Sequence, residues 1–110
     1  MINYTTPTIS LTVEAVDLTG QDVYVTLQQG SHEMTKKGAD LTVTTETHDQ
    51  QTDTNITFVL SQAESASFKF NQAVSVQVNW INSSGVRAAT EIKTIGVMRN
   101  LLDEVIAYGN

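Results

Sequence analysis

Residues 73–81 read AVSVQVNWI, and their alternation sets the expected fold. Val74, Val76, Val78 and Trp80 lie on one side of an extended chain, and serine, glutamine and asparagine lie on the other. A period of two is typical of a strand with one face in a hydrophobic core. We therefore expect a central strand here, with Trp80 as a core aromatic residue and not a ligand platform.

The same alternation recurs along most of the chain, with turn residues between the segments. Seven strands are predicted, at residues 8–13, 22–28, 32–36, 41–45, 55–60, 73–81 and 86–97. Seven short strands without a long internal helix favour an all-β fold, an immunoglobulin-like antiparallel β-sandwich, with a small barrel as the alternative. We expect an N-terminal arm at residues 1–7, the sandwich at 8–97 and a C-terminal helical tail at 98–110.

Two connections between strands have a composition of their own. Residues 46–54, ETHDQQTDT, contain no apolar side chain and are predicted to form an exposed loop. Residues 61–64, SQAE, have the spacing of a capping box, which predicts one turn of helix before Phe68.

The last predicted strand changes face part of the way along. Ile92 falls on the opposite side from Ile95 and Val97. Either a bulge near Lys93 or Thr94 restores the inward face, or Ile92 faces a partner.

The closing residues 98–110, MRNLLDEVIAYGN, have apolar side chains at helical spacing. Asn100 suits an N-cap, Asp103 the third helical position and Gly109 a left-handed stop, so a helix is predicted over about residues 101–108. Helices of this length are not stable alone in water, so the apolar side should dock on its own sandwich or on a partner; both remain open. The candidate partner-binding residues are Leu101, Leu102, Val105, Ile106 and Tyr108, together with Tyr24 on the polar side of its strand and Ile92.

Composition limits the classes of partner. The chain has 110 residues, no cysteine and a formal net charge of −6, so one domain without disulfides is expected. Its six Lys and Arg residues are scattered, which argues against nucleic acids and anionic membranes as partners. The first residues have no signal-peptide pattern, and no apolar run approaches the roughly 18 residues of a membrane span. Synthesis in a reducing cytoplasm without export is therefore expected.

No residue pattern indicates an enzyme, a metal site or a cofactor. His32 and His48 have no second nitrogen or sulfur ligand at zinc spacing, and the loop carboxylates lack the EF-hand pattern. Phosphate-binding glycine motifs and a nucleophile elbow are missing from the sequence. Asp103 and Glu104 are interpreted as helix-start acids, not as a catalytic pair.

Several short motifs resemble those of small phage and prophage proteins from Gram-positive hosts. They are residues 17–20 (DLTG) with 23–27 (VYVTL), 60–64 (LSQAE) before Phe68, 76–80 (VQVNW), 87–94 (RAATEIKT) and 100–102 (NLL). More distantly, the chain resembles the N-terminal immunoglobulin-like domain of phage baseplate upper proteins, but it ends just after the domain, without a coiled coil or receptor-binding region.

The resemblance implies a non-enzymatic virion component, synthesised in the bacterial host cytoplasm. Such a module would bind other virion structural proteins, or further copies of itself, in the capsid, neck, head fibre or baseplate. The alternative is a free carbohydrate- or protein-binding immunoglobulin-like module. That function favours a surface cluster of aromatic residues, whereas most of the seven aromatic residues here fall at inward positions.

Overall fold

The computed structural model describes residues 1–109 and contains eight strands, one short α-helix and a 3₁₀ turn at Gly38–Asp40. The strands are antiparallel to each of their partners. The elements are β1 (Thr8–Val13), β2 (Asp22–Gln29), β3 (His32–Lys37), β4 (Thr42–His48), β5 (Gln51–Val59), α1 (Gln62–Ala66), β6 (Val74–Ile81), β7 (Arg87–Ala89) and β8 (Lys93–Ile95).

The strands form two sheets packed face to face. One sheet has the order β1-β5-β4, and the other has the order β3-β2-β6-β7, with β8 pairing the opposite end of β6. These orders correspond to the B-E-D and C′-C-F-G sheets of an immunoglobulin-like domain. The predicted all-β sandwich is therefore confirmed, and the barrel alternative is wrong.

The core lies between the two sheets and is centred on the pairing of β2 with β6. Val25 lies opposite Val78, and both are buried. Trp80 is half-buried and packs against the core, as the alternation in residues 73–81 predicts. The buried apolar residues are Ile9, Val13, Leu18, Val23, Val25, Leu27, Ile56, Phe58, Leu60, Phe68, Val74, Val76, Val78 and Val97.

The predicted loop at residues 46–54 is wrong, because most of this segment belongs to β4 and β5. Asp49 and Gln50 form the two-residue turn between these strands, with positive φ values of 48° and 66° that suit a type I′ hairpin. Every residue of β4 is exposed. The residues of this segment that β5 buries, Asp53 and Thr54, are polar, so the absence of apolar residues did not reveal the hairpin.

The last predicted strand is two short strands, β7 and β8, separated at residues 90–92. The Thr90 amide donates to the Val78 carbonyl at 2.9 Å, and the Val78 amide donates to the Thr90 hydroxyl at 3.1 Å. The Thr90 hydroxyl thus replaces a backbone carbonyl as the acceptor for the Val78 amide at the break. Asn79 pairs with Ala89 whereas Val76 pairs with Lys93, so one extra residue is inserted within residues 90–92, next to the predicted position of the bulge near Lys93 or Thr94. Ile92 lies in this insertion and is exposed.

The predicted capping box is confirmed at the start of α1. The Ser61 hydroxyl accepts from the Glu64 amide at 3.1 Å, and the Glu64 carboxylate accepts from the Ser61 amide at 2.9 Å. The same carboxylate lies 2.7 Å from the Lys36 ammonium on β3. Partial burial acts to raise the pKa of Glu64, but the bonds from Lys36 and Ser61 outweigh it and lower this pKa. The ion pair joins α1 to the edge of the larger sheet.

The predicted C-terminal helix is wrong: residues 98–109 contain no helical turn. The segment is too short for a helix without packing support. Its backbone instead bonds to the side chains of Asn3 and Gln62. Asn110, the last residue of the predicted tail, lies outside the described residues.

Thr54 provides a test of how the loop between β1 and β2 is held. Its buried hydroxyl accepts from the Leu18 amide at 3.0 Å and donates to the Val16 carbonyl at 2.7 Å. Thr54→Val keeps the side-chain shape but leaves both backbone groups without this partner, so we expect a loss of about 1–3 kcal/mol in the free energy of unfolding.

Urea unfolding followed by circular dichroism measures this loss. Thr57→Val, on the opposite face of the same strand, is the matched control and should change stability by less than about 0.5 kcal/mol. Equal stability of the Thr54→Val and wild-type proteins would contradict the assigned role of the hydroxyl.

Candidate interaction surface

The first three residues run parallel to the segment that leads into the C-terminal tail. The Met1 ammonium donates to the Gly96 carbonyl at 2.9 Å, the Met98 amide to the Met1 carbonyl at 2.7 Å, and the Asn3 amide to the Met98 carbonyl at 3.1 Å. Ile2 and Met98 form a parallel bridge, and both side chains are exposed. The two terminal segments therefore support each other at one end of the sandwich.

Asn3 fixes the point where the tail leaves the sheet. Its side chain is buried, and its carbonyl oxygen accepts from the Asn100 amide at 2.9 Å. The side chain of Asn100 in turn accepts from the Leu102 amide at 3.1 Å. Asn100 thus makes the local bond expected of an N-cap, but it closes an Asx turn that no helix follows.

Gln62, in the first turn of α1, holds the tail at a second point. Its amide nitrogen donates to the Ile106 carbonyl, and its amide oxygen accepts from the Ile106 amide, both at 2.8 Å. A side-chain amide here bonds a backbone unit in both directions, as a neighbouring strand would. The tail backbone is thereby held at Asn100 and at Ile106.

The five candidate tail residues are all exposed. Leu101 is 89% exposed and Tyr108 is fully exposed, while the other three are at least half exposed. The structure does not bury these side chains against their own sandwich. We call this set the tail surface: Leu101, Leu102, Val105, Ile106 and Tyr108.

The other two candidates lie elsewhere. Tyr24 is on the outer face of the larger sheet, where it pairs with Asn79 and lines a hollow of about 350 Å³. Arg87 also lines this hollow and donates from two nitrogens to the Asn79 side chain, at 3.2 and 3.0 Å. Ile92 lies in the break before β8 and is 64% exposed. None of residues 98–109 lines the hollow at Tyr24, so the structure does not join these candidates into one site.

The sequence pattern missed a groove beside the tail. It has a volume of about 390 Å³, and its lining includes Tyr4, Phe68, Lys69, Phe70 and Arg99. The Arg99 guanidinium carbon lies 5.7 Å from the centroid of the Phe70 ring. The sequence carried no signal for this groove, because strand alternation would place Phe68 and Phe70 on the same face, whereas residues 67–73 lie outside the strands and leave Phe68 buried and Phe70 exposed.

Besides the Lys36–Glu64 pair, one other close pair of titratable side chains, His48 and Asp53, occurs in the described residues, and its hydrogen bonds indicate a structural role. Asp53 accepts hydrogen bonds from the Ala15 amide and the Gln51 side chain, both at 2.8 Å, and lies 2.9 Å from the His48 ring nitrogen. The Ala15 amide, with Gln51 and His48, lowers the pKa of Asp53 to about 2. These bonds tie the β4–β5 hairpin to the end of β1.

Two further properties concern residues 1–109. No group of three or more histidine and carboxylate side chains comes close enough together to hold a metal ion. Neither is any helix in this part of the chain long and apolar enough to cross a membrane.

No protein-family model, curated protein or solved structure matches the chain.

The lowered pKa of Asp53 predicts that the free energy of unfolding decreases at acidic pH. Because folding lowers the pKa of this carboxyl from 3.8 to about 2, its contribution is complete above pH 3.8 and is lost as the pH falls through 2. The free energy of unfolding should therefore fall less steeply in Asp53→Asn than in the wild type between these limits. Asp49→Asn removes one carboxylate from the turn of the same hairpin and is the matched control. An unchanged slope in Asp53→Asn would contradict the assignment.

Gln62→Ala should release the tail at Ile106 without unfolding the sandwich. Loss of two neutral hydrogen bonds, each worth about 1 kcal/mol, should raise hydrogen exchange at the Ile106 amide by at least about fivefold. Gln72→Ala is the control, since among residues 1–109 Gln72 contributes its backbone carbonyl as an acceptor and no side-chain hydrogen bond. Equal exchange rates in the two variants would contradict the attachment.

Proposed function

We propose that this chain is a non-enzymatic protein–protein interaction module of a phage virion and that the tail surface is its contact region. The observation that carries the proposal is a set of five large apolar side chains, each at least half exposed, on a backbone that is held at two points. Exposed apolar residues in one contiguous segment are typical of an interaction site.

The apolar side chains supply the energy of such a contact. Full burial of a valine, leucine or isoleucine side chain contributes about 1.5–3 kcal/mol before the cost of ordering. The attachments at Asn3 and Gln62 reduce that cost, because the tail backbone is held at Asn100 and at Ile106 before a partner arrives. A partner with an apolar groove or face would complete the contact.

The resemblance of the sequence motifs to phage and prophage proteins supports the virion as the setting. In such a particle the chain would fasten or decorate other structural proteins of the capsid, neck, head fibre or baseplate. Its formal charge of −6 and its scattered basic residues favour protein partners over nucleic acid or anionic lipid.

A free carbohydrate- or protein-binding module is the second candidate function, and the hollow at Tyr24 favours it. The hollow combines an aromatic residue with the polar side chains of Asn79 and Arg87, a lining suited to a small polar ligand. The two functions differ in where the chain resides, because a free module would not remain with washed, purified particles.

The virion proposal is tested with particles purified from the phage that encodes this chain. Quantitative mass spectrometry should find the wild-type chain at a fixed number of copies per particle. The triple variant Leu101→Ser, Val105→Ser, Tyr108→Ser should be lost from particles, because its apolar contact area is removed. Val59→Ser with Val86→Ser is the control, since both residues are exposed outside the tail surface.

Circular dichroism and urea midpoints of the purified variants confirm that each one folds. Wild-type chain missing from purified particles would overturn the virion proposal. Triple-variant chain retained at wild-type copy number would overturn the role of the tail surface.

A further inference from the structure

The groove beside the tail, lined by Tyr4, Phe68, Lys69, Phe70 and Arg99, is rigidly built; we call it the aromatic–basic groove. Gln29 is buried at the end of β2 and bonds the Lys69 backbone in both directions, accepting from its amide at 2.7 Å and donating to its carbonyl at 2.8 Å. The Arg99 side of the groove is held through Asn3, which fixes the residues before and after Arg99. The walls are therefore in place before any ligand binds.

The charge of this groove is opposite to that of the whole chain. Lys69 and Arg99 are exposed, and neither lies within 4 Å of a carboxylate in the described part of the chain. Asp103 also lines the groove but forms an ion pair with neither cation. On a protein of formal charge −6, the groove thus combines two available cations with aromatic surface.

The chemistry of the tail, residues 98–109, is complementary to that of the aromatic–basic groove. Asp103 and Glu104 are exposed and stand between two apolar pairs, residues 101–102 and 105–106. Carboxylates can pair with lysine and arginine, while the flanking aliphatic side chains can pack on Phe70 and Tyr4. Within the described part of the chain Asp103 borders the groove without pairing with either cation, and the Gln62 attachment holds Ile106 on α1.

We propose that the aromatic–basic groove binds the tail of a second copy of this chain, in a reciprocal two-fold dimer. Groove and tail lie at the same end of the molecule and share Asp103, so one two-fold axis can place each tail on the other groove. Lys69 and Arg99 pair with the acids of the second tail, and its leucines and isoleucine cover Phe70. This inference rests on the proposed role of the tail as a contact surface, and it identifies the partner and the receiving site.

Sedimentation equilibrium of the purified full-length chain tests the dimer. The wild type should dimerise with increasing concentration, and added salt should weaken the association because exposed ion pairs are screened. Lys69→Glu with Arg99→Glu, and separately Asp103→Lys with Glu104→Lys, should each weaken self-association by at least about tenfold. Lys37→Glu with Lys93→Glu is the control, because it makes the same change of charge at exposed cations outside the groove and should leave association unchanged.

Mixing the two charge-reversed variants gives the sharpest result. An acidic groove then meets a basic tail at one contact, and a basic groove meets an acidic tail at the other, so a heterodimer should form although each variant alone is weakened. Urea midpoints show whether the variants fold, and the recovery of association in the mixture is itself evidence of folding.

A wild-type chain that stays monomeric at all concentrations, or a mixture that fails to associate, would overturn the dimer. The proposed function fails differently: it fails when the wild-type chain is missing from virions or the apolar tail variant is retained there. A monomeric chain whose triple tail variant is lost from virions would refute the dimer and leave the virion contact standing.

Discussion

Every backbone amide and carbonyl that this fold buries at the end of a strand needs a hydrogen-bond partner, and side chains supply several of them. The Thr54 hydroxyl holds the loop before β2, and the Ser65 hydroxyl bonds both the amide and the carbonyl of Thr5. Gln29 holds the Lys69 backbone, and Asn3 holds that of Asn100. Within residues 1–109 no buried polar side-chain atom lacks a partner. The sandwich therefore extends its rigidity to the loops and terminal segments that form its surface.

Alternation in the sequence predicted the parts of the structure in which one face is buried. The bounds of β1 agree with residues 8–13, and the capping box at Ser61 marks the start of α1. The same criterion failed at the β4–β5 hairpin, whose outer strand is exposed along its whole length. It also failed for the tail, where helix-start signals at Asn100 were outweighed by bonds to residues distant in sequence.

The candidate site could be predicted only in its list of apolar tail residues. Its conformation depends on Asn3 and Gln62, which lie about forty residues or more from the backbone groups that they hold. The groove was beyond prediction for a similar reason, because Phe70 and Arg99 come together only when the sandwich has formed. Local patterns report burial, whereas a site built from several segments depends on tertiary contacts that no short stretch encodes.

The parallel arrangement of residues 1–3 beside residues 96–98 has a mechanical consequence. A pull on the tail along the chain direction loads the hydrogen bonds of Met1, Asn3 and Met98 in shear, so that they resist together. A perpendicular pull would open them one at a time, as in a zipper. These bonds lie directly behind the tail, where the proposed contact would apply its load.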